Sequence, residues 1–189
     1  MSTDQTALEP SSKAFHYRSY RLFWSASAAG SFANNIISVA VGWYIYDITR
    51  NPLYLGFVGL AQFLPALLLV LVTGLAADTF PRRVIMSVCL AIELGATSIL
   101  LLVAAGHIME IWPIYFALVL MGLARAFFSP AASSLAPNIV PPEALSNALS
   151  LNATAWQSAN IIGPAVGGLL YGVSAGLAFG VAVALIGTA

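Results

Sequence analysis

Residues 74–83 read Gly-Leu-Ala-Ala-Asp-Thr-Phe-Pro-Arg-Arg and stand between two long apolar runs. Only 7% of the 189 residues are charged, so an acid and two adjacent arginines in so short a stretch indicate a turn at a membrane surface. Short loops that are rich in Arg and Lys stay in the cytoplasm, and Pro81 prevents a helix from crossing the turn. The stretch therefore predicts a cytoplasmic turn between two membrane-spanning helices.

The composition of the whole chain predicts an integral membrane protein. Hydrophobic residues make up 60% of it, which is more apolar surface than a soluble domain of this size can bury. The formal net charge is zero, and the sequence has no basic patch, which argues against a nucleic-acid partner. His16 and His107 lie at or beyond the ends of the apolar runs, and no acid–base cluster, metal-binding cluster or phosphate-binding loop accompanies them. We therefore expect no enzyme activity, no cofactor and no metal.

The apolar runs predict an all-α integral membrane fold with six spanning helices. Residues 1–21 form a polar cytoplasmic tail, and residues 22–189 form the bundle. The predicted spans are residues 22–46, 53–77, 84–105, 112–130, 145–171 and 175–189. We expect Pro130 and Pro137 to break the chain after the fourth span. The sixth span is predicted to be truncated, because at about 1.5 Å per residue it cannot cross a hydrocarbon core of about 30 Å.

The basic residues predict the orientation of this bundle in the bilayer. Arg50 is the one Arg or Lys expected in the outer loops, and the cytoplasmic side carries Lys13, Arg18, Arg21, Arg82 and Arg83. By the short-loop charge bias, the amino terminus lies in the cytoplasm. We expect a multi-pass protein of the cell membrane.

Polar residues inside the first span point to one helical face. Small and polar residues recur there at intervals of three and four, namely Ser27, Ser31, Asn35, Ser38 and Gly42. One interpretation is close packing of small residues against a neighbouring helix. The other is a polar cavity, which the adjacent amides of Asn34 and Asn35 favour.

Charged and amide groups in the other spans extend the cavity interpretation. Arg125 lies inside the fourth span, where a cation costs about 2.5–3.5 kcal/mol on insertion scales, so it should face the bundle interior and have a partner. By depth, Asn34 and Asn35 are the nearest candidates. The residues that we expect to line a cavity for substrate or for proton coupling are Asn34, Asn35, Gln62, Arg125 and Asn160. Glu93, in the third span, could face a polar pocket, pair with Arg125, or lie nearer an interface.

Three of these features resemble those of the major facilitator superfamily of transporters. The Gly-x-x-x-Asp-x-x-x-Arg-Arg pattern of residues 74–83 is similar to the loop between helices two and three of that family. Arg125 matches the position of its intramembrane arginine. The third feature, in the fifth span, is similar to the motif of proton-driven exporters and comprises Ala159, Gly163, Pro164, Gly167 and Gly168. The chain thus resembles the amino-terminal half of such an exporter, in the branch that includes enterobactin and macrolide efflux proteins.

The resemblance implies a function and partners. Such proteins have two six-helix halves around a central cavity and rock between two states, so we expect export of small amphipathic molecules, driven by protons, with a missing carboxy-terminal half as partner. The cytoplasmic gate loop would comprise Gly74, Asp78, Arg82 and Arg83. The glycine-rich fifth helix would seal the cavity and bend, although helix packing alone also explains its small residues. Because the third helix of this family lies at the periphery, the resemblance argues against a coupling role for Glu93. The alternative is a non-transporting membrane protein, truncated or a helper, that docks to another helical bundle.

Overall fold

The computed structural model of the chain describes residues 14–106 and 110–189, apart from the side chains of residues 70–72, 74–79 and 136–137. Over this part of the chain the fold is entirely helical, which confirms the all-α prediction. A short 3₁₀ turn, Ala14–His16, precedes six α-helices. They are α1 Arg18–Thr49, α2 Leu53–Thr79, α3 Arg82–Ala104, α4 Trp112–Ile139, α5 Pro142–Val173 and α6 Ala175–Thr188. Residues 1–13 of the predicted tail lie outside the described residues.

In the part of the chain that the structure describes, two helices are long and apolar enough to cross a membrane, by length and composition. They are α3 and the Trp112–Leu135 part of α4. The Leu53–Leu69 part of α2 and the whole of α6 are shorter apolar helices. Large apolar side chains on the outer surface of α2, such as Phe63, Leu67 and Leu68, are exposed. Such a surface suits contact with lipid or with another bundle rather than with water.

The predicted break of the fourth helix at Pro130 and Pro137 is wrong. α4 continues through both prolines to Ile139, and the chain turns at Val140, which has an extended backbone. A helix at membrane depth keeps its backbone groups bonded internally, and neighbouring hydroxyl groups help it to tolerate proline. The hydroxyls of Ser133 and Ser134 donate to the carbonyl oxygen of Pro130 itself at 3.0 and 2.8 Å, whereas the carbonyl group that Pro130 leaves without an N–H partner is that of Ala126. α5 then begins at Pro142, where proline is favoured because its missing N–H has no helical partner to lose.

The turn between α2 and α3 is shorter than the stretch that predicted it. α2 extends to Thr79 and α3 begins at Arg82, so the residues between the helices are Phe80 and Pro81. Gly74 and Asp78 therefore belong to the last turns of α2, and their side chains lie outside the described residues. Local sequence marks the turn through proline and charge, whereas the end of a helix depends on what its last turn packs against.

The helices form two groups with a cleft between them. α1 packs against α5 and α6, while α4 packs against α2 and α3, and α6 also contacts α3. The largest apolar cluster fills the space around α6 and includes Ile36, Ile37, Leu118 and Phe179, all of them buried. Direct contact between α1 and α4 is sparse. Polar side chains occupy the space that remains between these two helices.

The start of the described chain is fastened to the start of α5. The Ala14 N–H donates to Oδ1 of Asn147 at 3.0 Å, and the Tyr20 hydroxyl donates to the Ala148 carbonyl at 2.8 Å. One turn later the Trp24 indole N–H donates to the Leu151 carbonyl at 3.1 Å. α1 therefore begins at Arg18 rather than at the predicted residue 22, because Tyr20 is a buried part of the contact with α5.

Candidate functional site

A polar cleft of about 680 Å³ lies between α1, α4 and α5 and reaches α3. Four of the five stripe residues of α1 line it, namely Ser27, Ser31, Asn35 and Ser38, which supports the cavity interpretation for this part of the stripe. Gly42 is not among the residues described as lining the cleft. The opposite walls carry Glu93 of α3, Arg125 of α4 and Asn160 of α5.

Three of these polar side chains form a connected chain of hydrogen bonds. Arg125 Nη2 donates to Oδ1 of Asn34 at 2.7 Å. Nδ2 of the same amide lies 3.5 Å from Oε1 of Glu93 and 3.1 Å from the Gly30 carbonyl oxygen. Asn34 therefore joins a cation on α4 to an acid on α3, although the three residues come from three different helices. The partner expected for Arg125 by depth is found in Asn34 rather than in Asn35.

The two charged groups of this chain differ in their access to the cleft. The Glu93 side chain is only 4% exposed, whereas Arg125 is exposed on the open side of the cleft. A buried carboxylate is strongly unfavourable without a compensating charge or hydrogen bonds. Glu93 has both, because Asn34 donates to it and the Arg125 guanidinium lies on the other side of that amide. The acid thus faces the polar pocket, and it connects to Arg125 through an amide.

Glu93 was absent from the cavity candidates named from the sequence. The sequence does contain an indication that Glu93 is unusual, because Glu93 is an acid in the middle of an apolar run. The expectation that the third helix is peripheral argued against a coupling role for Glu93, and its position was left open between a polar pocket, a pair with Arg125 and an interface. α3 does lie away from α1 along most of its length, but its Glu93 side chain reaches the Asn34 amide.

A second amide contact connects α1 to α5. Asn35 Nδ2 donates to Oδ1 of Asn160 at 3.2 Å and to the Ser31 carbonyl oxygen at 2.9 Å. Both amide side chains line the cleft. Asn34 and Asn35 are adjacent in sequence but form hydrogen bonds with different helices, because successive residues of a helix point about 100° apart.

The glycine-rich run of α5 packs closely against α1 at the same level. A Cβ added at Gly163 would lie 2.5 Å from Asn35 Cβ, and one added at Gly167 would lie 3.0 Å from Ile36 Cα. Ala159, one turn earlier, is fully buried. Gly168 lies off this contact, with no atom within 4 Å of an added Cβ. Pro164 is accommodated inside a continuous α5.

The remaining cavity candidate, Gln62, lies elsewhere. It is on α2, where its backbone meets Gly122 of α4, and a Cβ added at Gly122 would lie 2.5 Å from the Gln62 carbonyl oxygen. Gln62 is not among the residues described as lining the cleft. The structure thus brings four of the five cavity candidates together and leaves Gln62 at a helix-packing contact.

The arginines of the predicted gate loop have different surroundings. Arg82 Nη1 donates to the Ser134 carbonyl oxygen of α4 at 3.0 Å, so it ties the start of α3 to α4. Arg83 is exposed. The side chains of the other two gate residues, Gly74 and Asp78, lie outside the described residues.

A family comparison agrees with this geometry. Residues 10–187 match the family described as transmembrane secretion effector, which is nearly the whole chain. The chain belongs to the transmembrane secretion effector family. Its resemblance to major facilitator exporters is thereby confirmed. The family is one of membrane transporters and not a class of enzymes.

Several relatives of this chain are named as efflux proteins or transporters. Macrolide efflux protein A of Streptococcus pyogenes is 27% identical over 150 residues, which cover 79% of this chain and 37% of the relative. Multidrug efflux pump Tap of Mycolicibacterium fortuitum is 28% identical over 165 residues, covering 82% of this chain and 39% of the relative. The staphyloferrin A transporter of Staphylococcus aureus is 24% identical over 154 residues, covering 81% and 39%. The chain thus spans 37–39% of the length of these relatives.

Proposed function

We propose that this chain forms the amino-terminal bundle of a major facilitator exporter, which moves small amphipathic molecules out of the cell in exchange for protons. The observation that carries the proposal is the Arg125–Asn34 hydrogen bond of 2.7 Å across the cleft between α1 and α4. An arginine at membrane depth is expensive, so its retention inside a cleft marks a functional site by default.

The lining of the cleft supports an amphipathic small molecule as substrate. Its volume of about 680 Å³ falls within the range of about 300–1,000 Å³ that is usual for small-molecule sites. Asparagine and serine side chains line one part, and the aromatic rings of Phe23, Phe128 and Trp156 line another. The Ser27 hydroxyl oxygen is buried and has no hydrogen-bond partner within the described residues. It could therefore bond a ligand that enters the cleft.

The outer face of α5 supports a second bundle as partner. Thr154 and Gln157 are exposed there, beside the exposed Ile161 and Ile162. Lipid cannot satisfy the Gln157 amide, and protein can, whereas the Thr154 hydroxyl already donates to the Ser150 carbonyl oxygen at 2.9 Å. A carboxy-terminal bundle that packs on α5 would cover these groups and close the cleft, and the greater length of the relatives agrees with this.

Alternating access supplies the mechanism for such a pair of bundles. The close α1–α5 contact at Gly163 and Gly167 would hold one wall of the cleft together while the bundles rock around the shared site. On the cytoplasmic side, Asp78 and Arg83 would meet the second bundle, while Arg82 is bonded to α4 within the first. The charge bias of the short loops supports a cytoplasmic amino terminus, with all six helices in the cell membrane.

Transport in everted membrane vesicles tests this function. The full-length transporter that contains this chain is expressed, a proton gradient is imposed, and uptake of a radiolabelled macrolide is measured with and without a protonophore. We expect saturable, protonophore-sensitive uptake, and we expect Arg125→Ala to abolish it while the protein stays inserted. Arg125→Lys should restore little, because lysine lacks the planar set of donors. Arg18→Ala, which removes an exposed arginine that does not line the cleft, is the control. Parental uptake by the Arg125→Ala variant would contradict the proposal.

A further inference from the structure

Glu93 is a buried acid in the wall of the cleft to which neither the sequence motifs nor the gate loop assign a role. Its side chain is 4% exposed, and the other buried residues of α3 are apolar except for Thr97, one turn later, whose hydroxyl donates to the Glu93 carbonyl oxygen at 2.7 Å. Its contact with the cleft runs through the Asn34 amide, 3.5 Å from Oε1. An ionisable group at membrane depth that reaches a transport cleft is a candidate for carrying a proton.

Few other ionisable groups act on Glu93. Arg125 acts from α4, and the buried thiol of Cys89 lies one turn earlier on α3. α1 contributes the neutral amide of Asn34, and α6, which also packs on α3, has no ionisable side chain. Arg125 is therefore the one cation that balances the Glu93 carboxylate in the described part of the chain.

We propose that Glu93 carries the exchanged proton and that the cleft binds an amphipathic cation when Glu93 is ionised. In that state the charges of Glu93 and Arg125 sum to zero, with Asn34 between them. When the carboxylate takes a proton from a hydronium ion on the outer side, it becomes a neutral acid and a water molecule is released. Arg125 then remains as an uncompensated cation on the open side of the cleft.

Exchange follows from this change of charge. A cleft of zero net charge, with aromatic rings in its wall, accepts an amphipathic cation, whereas a cleft of charge +1 repels it. Proton and substrate therefore exclude each other, as antiport requires. Loss of the proton from Glu93 to cytoplasmic water restores the cleft of zero net charge. The inference rests on the proposed function, because it assigns a residue and a substrate charge to that same cleft.

Binding of tetraphenylphosphonium, a permanent cation with aromatic rings, tests the inference on the purified full-length transporter. Binding of the radiolabelled ion is measured across a pH series by scintillation proximity, and proton release on binding is followed with a pH-indicator dye. We expect the parent to bind more weakly as the pH falls and to release protons when the ion binds. Glu93→Gln, which resembles the protonated acid, should bind weakly at every pH and release none. Glu93→Asp should keep the pH dependence, since it keeps a carboxylate.

Two further variants separate this role from a structural one. Arg125→Gln should strengthen binding of the cation, because it leaves the cleft negative when Glu93 is ionised, whereas loss of structure would weaken it. Glu110→Gln makes the same chemical change at an exposed acid outside the cleft and should behave as the parent. The proposal is wrong if the parent does not bind the cation, or if Glu93→Gln keeps the parental pH profile and proton release. The proposed function stands in either case if the macrolide uptake remains driven by protons.

Discussion

Asn34 accepts a hydrogen bond of 2.7 Å from Arg125 across 91 positions of sequence, and this contact connects α1 to α4 where the two helices otherwise barely touch. The same amide donates toward Glu93 on α3. One neutral side chain thus links the two charged residues of the cleft. The contribution of each charged residue to stability therefore depends on the other.

That interdependence predicts non-additive effects of mutation. Asn34→Ala and Arg125→Ala, made singly and together in the full-length protein, should show a coupling of about 0.5–3 kcal/mol in stability, as is usual for residues in one polar network. Thermal unfolding in detergent, read by size-exclusion chromatography, measures it. Asn34→Ala combined with Arg83→Ala is the control, because Arg83 is exposed at the start of α3. If the losses of stability caused by the Asn34 and Arg125 substitutions add up, the hydrogen bond between the two residues contributes nothing to stability.

The glycine contacts predict a sharp difference between two neighbouring positions of α5. Gly163→Ala should destabilise the protein by about 1–3 kcal/mol, which is usual for overpacking, because the new methyl group would lie 2.5 Å from Asn35 Cβ. Gly168→Ala meets no atom within 4 Å and should be neutral or stabilising by up to about 1 kcal/mol, since alanine favours the helix. Melting temperatures of the two variants, compared with that of the parent, measure this difference in stability. Equal effects would mean that α1 and α5 do not approach this closely.

The orientation in the bilayer predicts which positions a membrane-impermeant thiol reagent can reach. After Cys89 is replaced by alanine, a cysteine at position 50 should be labelled from outside intact cells, because Arg50 lies exposed between α1 and α2. A cysteine at position 83 should be labelled only after the cells are opened, because the charge bias of short loops predicts a cytoplasmic position for an arginine-rich turn. The reverse pattern would place the amino terminus outside.

The exposed polar groups of the cleft and of α5 predict that residues 1–189 need a partner bundle. Expressed alone, they should accumulate poorly and should not transport, because Arg125 and Gln157 would face lipid. Co-expression of a matching carboxy-terminal half should raise their abundance in the membrane, measured by immunoblot. An unrelated six-helix bundle is the control. Saturable, gradient-dependent substrate movement by the fragment alone in proteoliposomes would contradict this prediction.

Sequence alone determined the class of the protein and most of its helices. Span length, apolar composition and the position of arginines are local properties, and the bilayer acts on them locally, so they predict an all-helical membrane protein with a turn at Pro81. The small residues Gly163 and Gly167 also predicted a close contact between two helices, because residues without a side chain let two helix backbones approach each other.

Tertiary structure decided which polar groups meet. Whether Asn34 or Asn35 faces Arg125 depends on the rotation of α1 against α4, and whether Gln62 enters the cleft depends on how α2 crosses α4 at Gly122. Helix crossings arise from packing between residues far apart in the chain, which periodicity within one helix does not encode. For the same reason the sequence could mark Glu93 as an unusual acid, and only the packing of α3 against α4 and α6 placed its side chain at the Asn34 amide.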